Sequence, residues 1–321
     1  MKRITAILVC VILVFTMSAC GAKTAQKEKK INVVTTIFPL YDWARNISIG
    51  VDEAEVSMLV DSGVDLHSFQ PTVQDIVKIS SCDVFVYVGG ESDKWVDDAL
   101  KETTNKNLVA INLLDKLGDK KREEELKEGM QGEEEEEEEE EEAEYDEHIW
   151  LSLKNAGILC NAICDGLCSA DKNNENAYKA NRDEYFKKLD ELDKEYEAAV
   201  NAGNKKTLLF GDRFPFRYMI EDYGLDYFAA FIGCSAESEA SFKTIKFLAD
   251  KVDELSLDSI IKIEGSDGKL AKTINENTKS KNAKILTLNS MQSITANNVK
   301  DGVTYIEICK SNLDVLKEAI K

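Results

Sequence analysis

The stretch Asn173 to Gly203, NNENAYKANRDEYFKKLDELDKEYEAAVNAG, holds no proline and no glycine before its last residue. Tyr178, Tyr185, Leu189, Leu192 and Tyr196 fall at the three- and four-residue steps of a single helical stripe. The spacing predicts one helix of about thirty residues, roughly 45 Å long at 1.5 Å per residue. A helix of that length is long enough to join two lobes as a stiff strut.

Working outward, both flanks alternate strand and helix patterns. On the amino-terminal side, INVVTTIF, AEVSMLV, DVFVYVGG and LVAINLL read as apolar, β-branched strands, separated by the helical YDWARNISI and TVQDIVKISSC. After the strut, KKTLLFG, LDYFAAFIG, LDSIIKIEG and AKILTL repeat the pattern, with helical SFKTIKFLADKVDELS, GKLAKTINENTKS and TYIEICKSNLDVLKEAIK. Strands separated by helices imply βαβ units and mainly parallel sheets covered on both faces. The fold class is therefore α/β, with an N-terminal lobe over residues 31–170, a linking helix over 171–203 and a C-terminal lobe over 204–321. Such lobes leave a cleft at the carboxyl ends of their strands, where ligands of open α/β sheets bind.

Residues 1–20, MKRITAILVCVILVFTMSAC, carry Lys2 and Arg3, then an apolar run, then small residues before Cys20. That is the pattern of a secretory leader. Ser18 and Ala19 before Cys20 resemble the lipobox of bacterial lipoproteins, with Met17 where such boxes usually carry Leu. The resemblance implies a lipid on Cys20, a polar tether over 21–30 and an extracytoplasmic protein anchored to a membrane. Of the other cysteines, Cys160, Cys164 and Cys168 recur every four residues and share one helical face, as small buried apolar residues do. No C-x-x-C spacing occurs.

With 60 acidic against 40 basic residues the formal charge is −20, and half of that excess sits in ten consecutive glutamates, Glu133 to Glu142. This balance excludes a general nucleic-acid binder, which needs a basic face. Cations are the more natural partner. The glutamate run lies within an insertion over 119–147; like charges repel, so it stays solvated, as a plain surface insertion or as a weak cation antenna.

The chain has only two histidines. His67, in VDSGVDLHSFQPTVQDI, follows a strand and precedes a helix start; His148, in YDEHIWLSLKNAGILCNAICDGL, stands at the turn into another helix. A lone surface histidine would need no function. Two in equivalent places suggest imidazole ligands for Zn or Mn, completed by carboxylate oxygen.

These segments resemble the metal-binding receptors of ABC importers for zinc, manganese or iron, known as cluster 9 or A-I. VVTTIFPLYDWARNI resembles the family's opening strand and helix, DLHSFQPTVQDI its first ligand segment, and YDEHIWLSLKNA its second. Leu66 and Leu153 stand where the family has prolines. The resemblance implies two lobes bridged by a helix, a divalent metal between them, a monomer, and delivery to permease subunits served by a separate ATPase. It also implies a third ligand after the first strand of the second lobe, where LLFGDRFPFRYMIEDYGL offers Asp212 and Arg213. A guanidinium does not ligate a metal, so either Asp212 reaches in or the ligand is missing, with Arg213 free to clamp an anion. The manganese-type fourth ligand falls in ILTLNSMQS, where Asn289 is available. Glu264, in IEGSDGKLAKTI, reads as structural or supporting, with Asp267 on the same loop as a substitute ligand. Two rivals remain at this point: an adhesin with a degenerate metal site, and an extracellular metallohydrolase. No H-E-x-x-H supports the hydrolase, and no Walker-type motif gives the chain its own ATP chemistry.

Overall fold

The computed structural model describes residues 30–132, 144–235 and 239–321. Cys20, residues 21–29 of the tether and the glutamate run therefore lie outside the described residues. No helix among the described residues is long and apolar enough to cross a membrane.

Two parallel four-stranded sheets share one strand order. The first is β2–β1–β3–β4, from β1 (Ile31–Thr35), β2 (Ala54–Met58), β3 (Val84–Tyr87) and β4 (Val109–Asn112). The second is β6–β5–β7–β8, from β5 (Thr207–Phe214), β6 (Asp226–Ile232), β7 (Ser259–Ile263) and β8 (Lys284–Leu288). In each sheet the order reverses beside its first strand, which opens a crevice at the carboxyl ends of the central strands.

Local signals set the helices. Thr72 and Asp75 form a capping box that starts the helix Val73–Ser81, and Ser152 accepts from the Asn155 amide to start Leu153–Ala170. Cys160, Cys164 and Cys168 are buried along that helix, as their spacing predicts.

The linking helix runs from Glu175 to Ala202, 28 residues, and buries Tyr178, Tyr185, Leu189, Leu192, Tyr196 and Val200. It is fastened to both lobes. Toward the first, Tyr185 Oη donates to Asp42 at 3.3 Å and Asn181 Nδ2 to Ile47 O at 2.9 Å. Toward the second, Tyr196 Oη donates to Cys309 O at 2.7 Å and Tyr223 Oη to Asp193 on the helix at 2.8 Å.

The described flanks of the insertion lie against the second lobe. Gln131 bridges in parallel to Phe231 and donates to Ala230 O at 2.9 Å, which covers the otherwise open edge of β6. Ion pairs Arg122–Glu221 at 2.6 Å and Lys127–Asp226 at 2.5 Å hold it there.

Candidate metal centre

Each histidine sits two residues after an aspartate that fixes its backbone. Asp65 Oδ1 accepts from the His67 amide at 3.1 Å, on the turn between β2 and the helix Val73–Ser81. Asp146 Oδ1 accepts both from the His148 amide at 2.8 Å and from its Nδ1 at 2.9 Å, at the approach to the helix Leu153–Ala170. The two rings converge. Nε2 of His67 lies 3.2 Å from Nε2 of His148, and His148 is fully buried.

The outer nitrogens are held by oxygen. His67 Nδ1 meets Ser92 Oγ at 2.6 Å, and Glu147 Oε2 stands 3.6 Å away. Glu147 is placed by the Ser92 amide, which donates to its Oε1 at 2.7 Å. A Cβ on Gly90 would meet that oxygen at 2.5 Å, and Gly90 has φ +86°, so glycine is required there on both counts.

Charge divides the pair. Burial, then the positive His148 and Arg213, push the His67 pKa down to about 3. Burial also works against a charged His148, but Asp146, then Glu124 and Glu147, outweigh it and the pKa is raised. Burial, chiefly, raises Glu147 to about 7. A dication between the two Nε2 atoms takes a lone pair from each, so binding there releases any proton they hold.

The second lobe does not contribute what the sequence suggested. Asp212 lies at an irregularity of β5 between Phe210 and Arg213, and its oxygens accept from the amides of Arg213 at 2.9 Å and Ile263 at 3.3 Å. It is used up inside the sheet, and among the described residues it joins no group close enough to share an ion. Arg213 reaches across instead, pairing with Asp65 Oδ2 at 2.8 Å and donating to Ser235 O at 3.4 Å. Burial opposes the Asp65 carboxylate, yet His67 and Arg213 hold its pKa below the ordinary value.

Asn289 is also turned away: its Oδ1 accepts from the Met291 amide at 2.8 Å, shaping the turn after β8. Asp267 pairs with Lys269 at the surface. Glu264 supports that turn, accepting from the Ser290 amide at 2.6 Å, Ser290 Oγ at 2.8 Å and the Gln292 amide at 3.2 Å. The residue so delivered is Gln292, 5% exposed. With its amide oxygen toward the imidazole it accepts from His148 Nε2 at 2.6 Å and donates to Asp65 Oδ2 at 2.8 Å. Trp150 Nε1 donates to Ser290 O at 2.8 Å, so the same loop is tied to the first lobe.

Two side chains absent from the sequence-based set also belong here. His67, His148 and Cys234 present ligand atoms all within 4.8 Å of one another, as do Glu124, Asp146 and His148. Cys234 follows β6, again at a strand's carboxyl end; Glu124 comes from the insertion and is in hydrogen-bond contact with Cys234. Only their positions signalled them, since neither stands in a recognisable motif.

A family model described as zinc-uptake complex component A, periplasmic, matches residues 33–319. The chain belongs to this family. It is 31% identical over 319 residues to the high-affinity zinc uptake system protein ZnuA of Bacillus subtilis, covering 97% of this chain and 95% of that one. It is 30% identical over 322 residues to the zinc-binding protein AdcA of Streptococcus pyogenes, covering 98% of this chain but spanning only 61% of that longer protein. Among solved structures, the Zn(II)-bound ZnuA-like domain of Streptococcus pneumoniae AdcA matches with a TM-score of 0.71 at 27% identity, covering 91% of this chain and 99% of that one. The metal-dependent lipoprotein YcdH of Bacillus subtilis matches with 0.73 at 27%, covering 91% and 100%. The two parallel sheets and the long helix between them are those of ZnuA-like receptors.

Proposed function

We propose that this chain is the extracytoplasmic receptor of a metal importer. It captures one divalent transition metal between its lobes and passes it to a membrane permease driven by a separate ATPase. Zinc is the metal named for its relatives, and the leader with Cys20 supports attachment to the membrane by a lipid.

One observation carries the reading: two imidazole Nε2 atoms face each other at 3.2 Å, each ring's other nitrogen held by an oxygen partner. With Zn–N bonds of 2.0–2.1 Å, a tetrahedral site separates adjacent nitrogens by about 3.3 Å. The pair is therefore spaced as ligands before any ion arrives. Oxygen partners on the outer nitrogens fix ring orientation and tautomer, as metal-bound histidines require. The chain binds its cargo and releases it unchanged; no turnover is needed, and the family is one of transport receptors.

The test is calorimetric titration of residues 21–321 with Zn and Mn, beside a His67→Ala, His148→Ala double variant and a chain lacking Glu133–Glu142. The proposal expects one tight site that survives loss of the glutamates and disappears with the histidines. Weak, multiple binding that vanishes with the glutamates would contradict it and favour an adhesin whose metal site is dead.

A further inference from the structure

We infer that Cys234 is the metal ligand supplied by the second lobe, so that the site closes as two imidazoles and one thiolate. This rests on the metal-receptor reading and concerns the part that neither Asp212 nor Asn289 fulfils. Cys234 Sγ lies within 4.8 Å of a ring nitrogen of each histidine. With Zn–S near 2.3 Å and Zn–N of 2.0–2.1 Å, the tetrahedral edge between sulfur and nitrogen is about 3.6 Å. Sulfur and nitrogen therefore draw together to about that separation when the thiolate bonds.

The backbone is built for that approach. Gly233 lies close against Cε1 and Nδ1 of the His148 ring: a Cβ there would meet them at 2.8 Å and 3.0 Å. Only a residue without a side chain lets the next one reach the imidazoles. Arg213 holds the far side of the turn through Ser235 O at 3.4 Å. A guanidinium at the place where relatives were expected to offer a ligand thus positions the turn that bears the thiol.

Two buried carboxyl groups flank this cluster. Glu147 is 1% exposed, and its Oε2 has no hydrogen-bond partner among the described residues while standing 3.6 Å from His67 Nδ1. The buried Oε1 of Glu124, whose carboxyl contacts Cys234, likewise has none. On coordination the thiol releases its proton to solvent and the sulfur lone pair enters the metal's shell, with no change of oxidation state. A thiolate also sets selectivity, since sulfur favours zinc over the harder manganese.

Cobalt(II) reports the ligand directly, because thiolate coordination adds a near-ultraviolet charge-transfer band that imidazole and carboxylate do not. Residues 21–321, which keep the whole compact unit Ile31–Lys321, are titrated with Co(II) and with Zn, beside Cys234→Ser and the double histidine variant. Cys82, Cys160, Cys164, Cys168 and Cys309 are buried, so the signal reports Cys234. The inference expects the band in the wild-type chain and its loss in Cys234→Ser, whose ligand-field absorption persists. Zinc affinity should fall in Cys234→Ser by more than the roughly 10–100-fold that removing an outer hydrogen-bond partner costs, and the preference for Zn over Mn should narrow. Zinc should also slow alkylation of Cys234 by iodoacetamide. A one-to-one complex that needs His67 and His148 but shows no charge-transfer band, with Cys234→Ser binding zinc as the wild type does, overturns the thiolate and leaves the receptor reading standing. Absence of any histidine-dependent site in the wild-type chain overturns both.

Discussion

His148 has no exposed surface, and every polar contact of its ring is chosen by a neighbour: Asp146 at Nδ1, and His67 and Gln292 at Nε2. Asp146→Asn keeps the shape but removes the charge that fixes the Nδ1–H tautomer. Zinc affinity should drop roughly 10–100-fold with little change in melting temperature, as read by competition with a chromogenic chelator. Gly233→Ala attacks the same ring from the other side. Its Cβ would collide with the imidazole at 2.8 Å, so metal affinity should fall at least about tenfold, as the same assay would show. Wild-type affinity in that variant would mean that the ring and the turn after β6 are free to move apart. The histidines were legible because a scarce residue type stood twice in one kind of turn. Cys234 and Gln292 were not: each lies in a polar loop after a strand, and only folding reveals which loop residue faces the cleft.

At the scale of elements, alternation of β-branched runs with helical periodicity was enough to place all eight strands of the two sheets and the long helix. Short helices such as Trp95–Lys101 and Arg217–Asp222 were not read, because a turn or two of helix gives too little periodicity to see. The end of β5 misled for a physical reason. The strand continues to Phe214 through a register shift, so Asp212 faces the amides of the sheet and Arg213 the cleft. Glu264 shows how an element's end is made into a support: it gathers the turn after β8 through Ser290 and Gln292. Glu264→Ala should cost roughly 2 kcal/mol of stability, since charge-assisted hydrogen bonds to buried amides are lost together. Urea denaturation measures this, and a loss below about 0.5 kcal/mol would mean that the loop holds itself.

Across the whole molecule, one helix ties two lobes, each built on a parallel four-stranded sheet. From its inner face Tyr185 donates to a titrating group, Asp42, on the first-lobe helix Phe38–Ile47. Burial is the main cause that raises its pKa from 3.8 to about 6. The folded state therefore holds this proton more tightly than the unfolded chain. The group's stabilising contribution is full below pH 3.8 and is lost as pH rises through about 6. Asp42→Asn, which cannot ionise, should be more stable than the wild type at pH 8, by up to roughly 3 kcal/mol, and should gain nothing at pH 4. Equal stability differences at the two pH values would mean that Asp42 ionises freely in the folded protein. Zinc-edge X-ray absorption of the one-to-one complex tests whether one ion sits between His67 and His148. An ion held there shows nitrogen scatterers at about 2.0–2.1 Å, with the outer-shell pattern of two imidazole rings that disappears in the double histidine variant. A first shell of oxygen alone, unchanged by that variant, would place the ion elsewhere and contradict it.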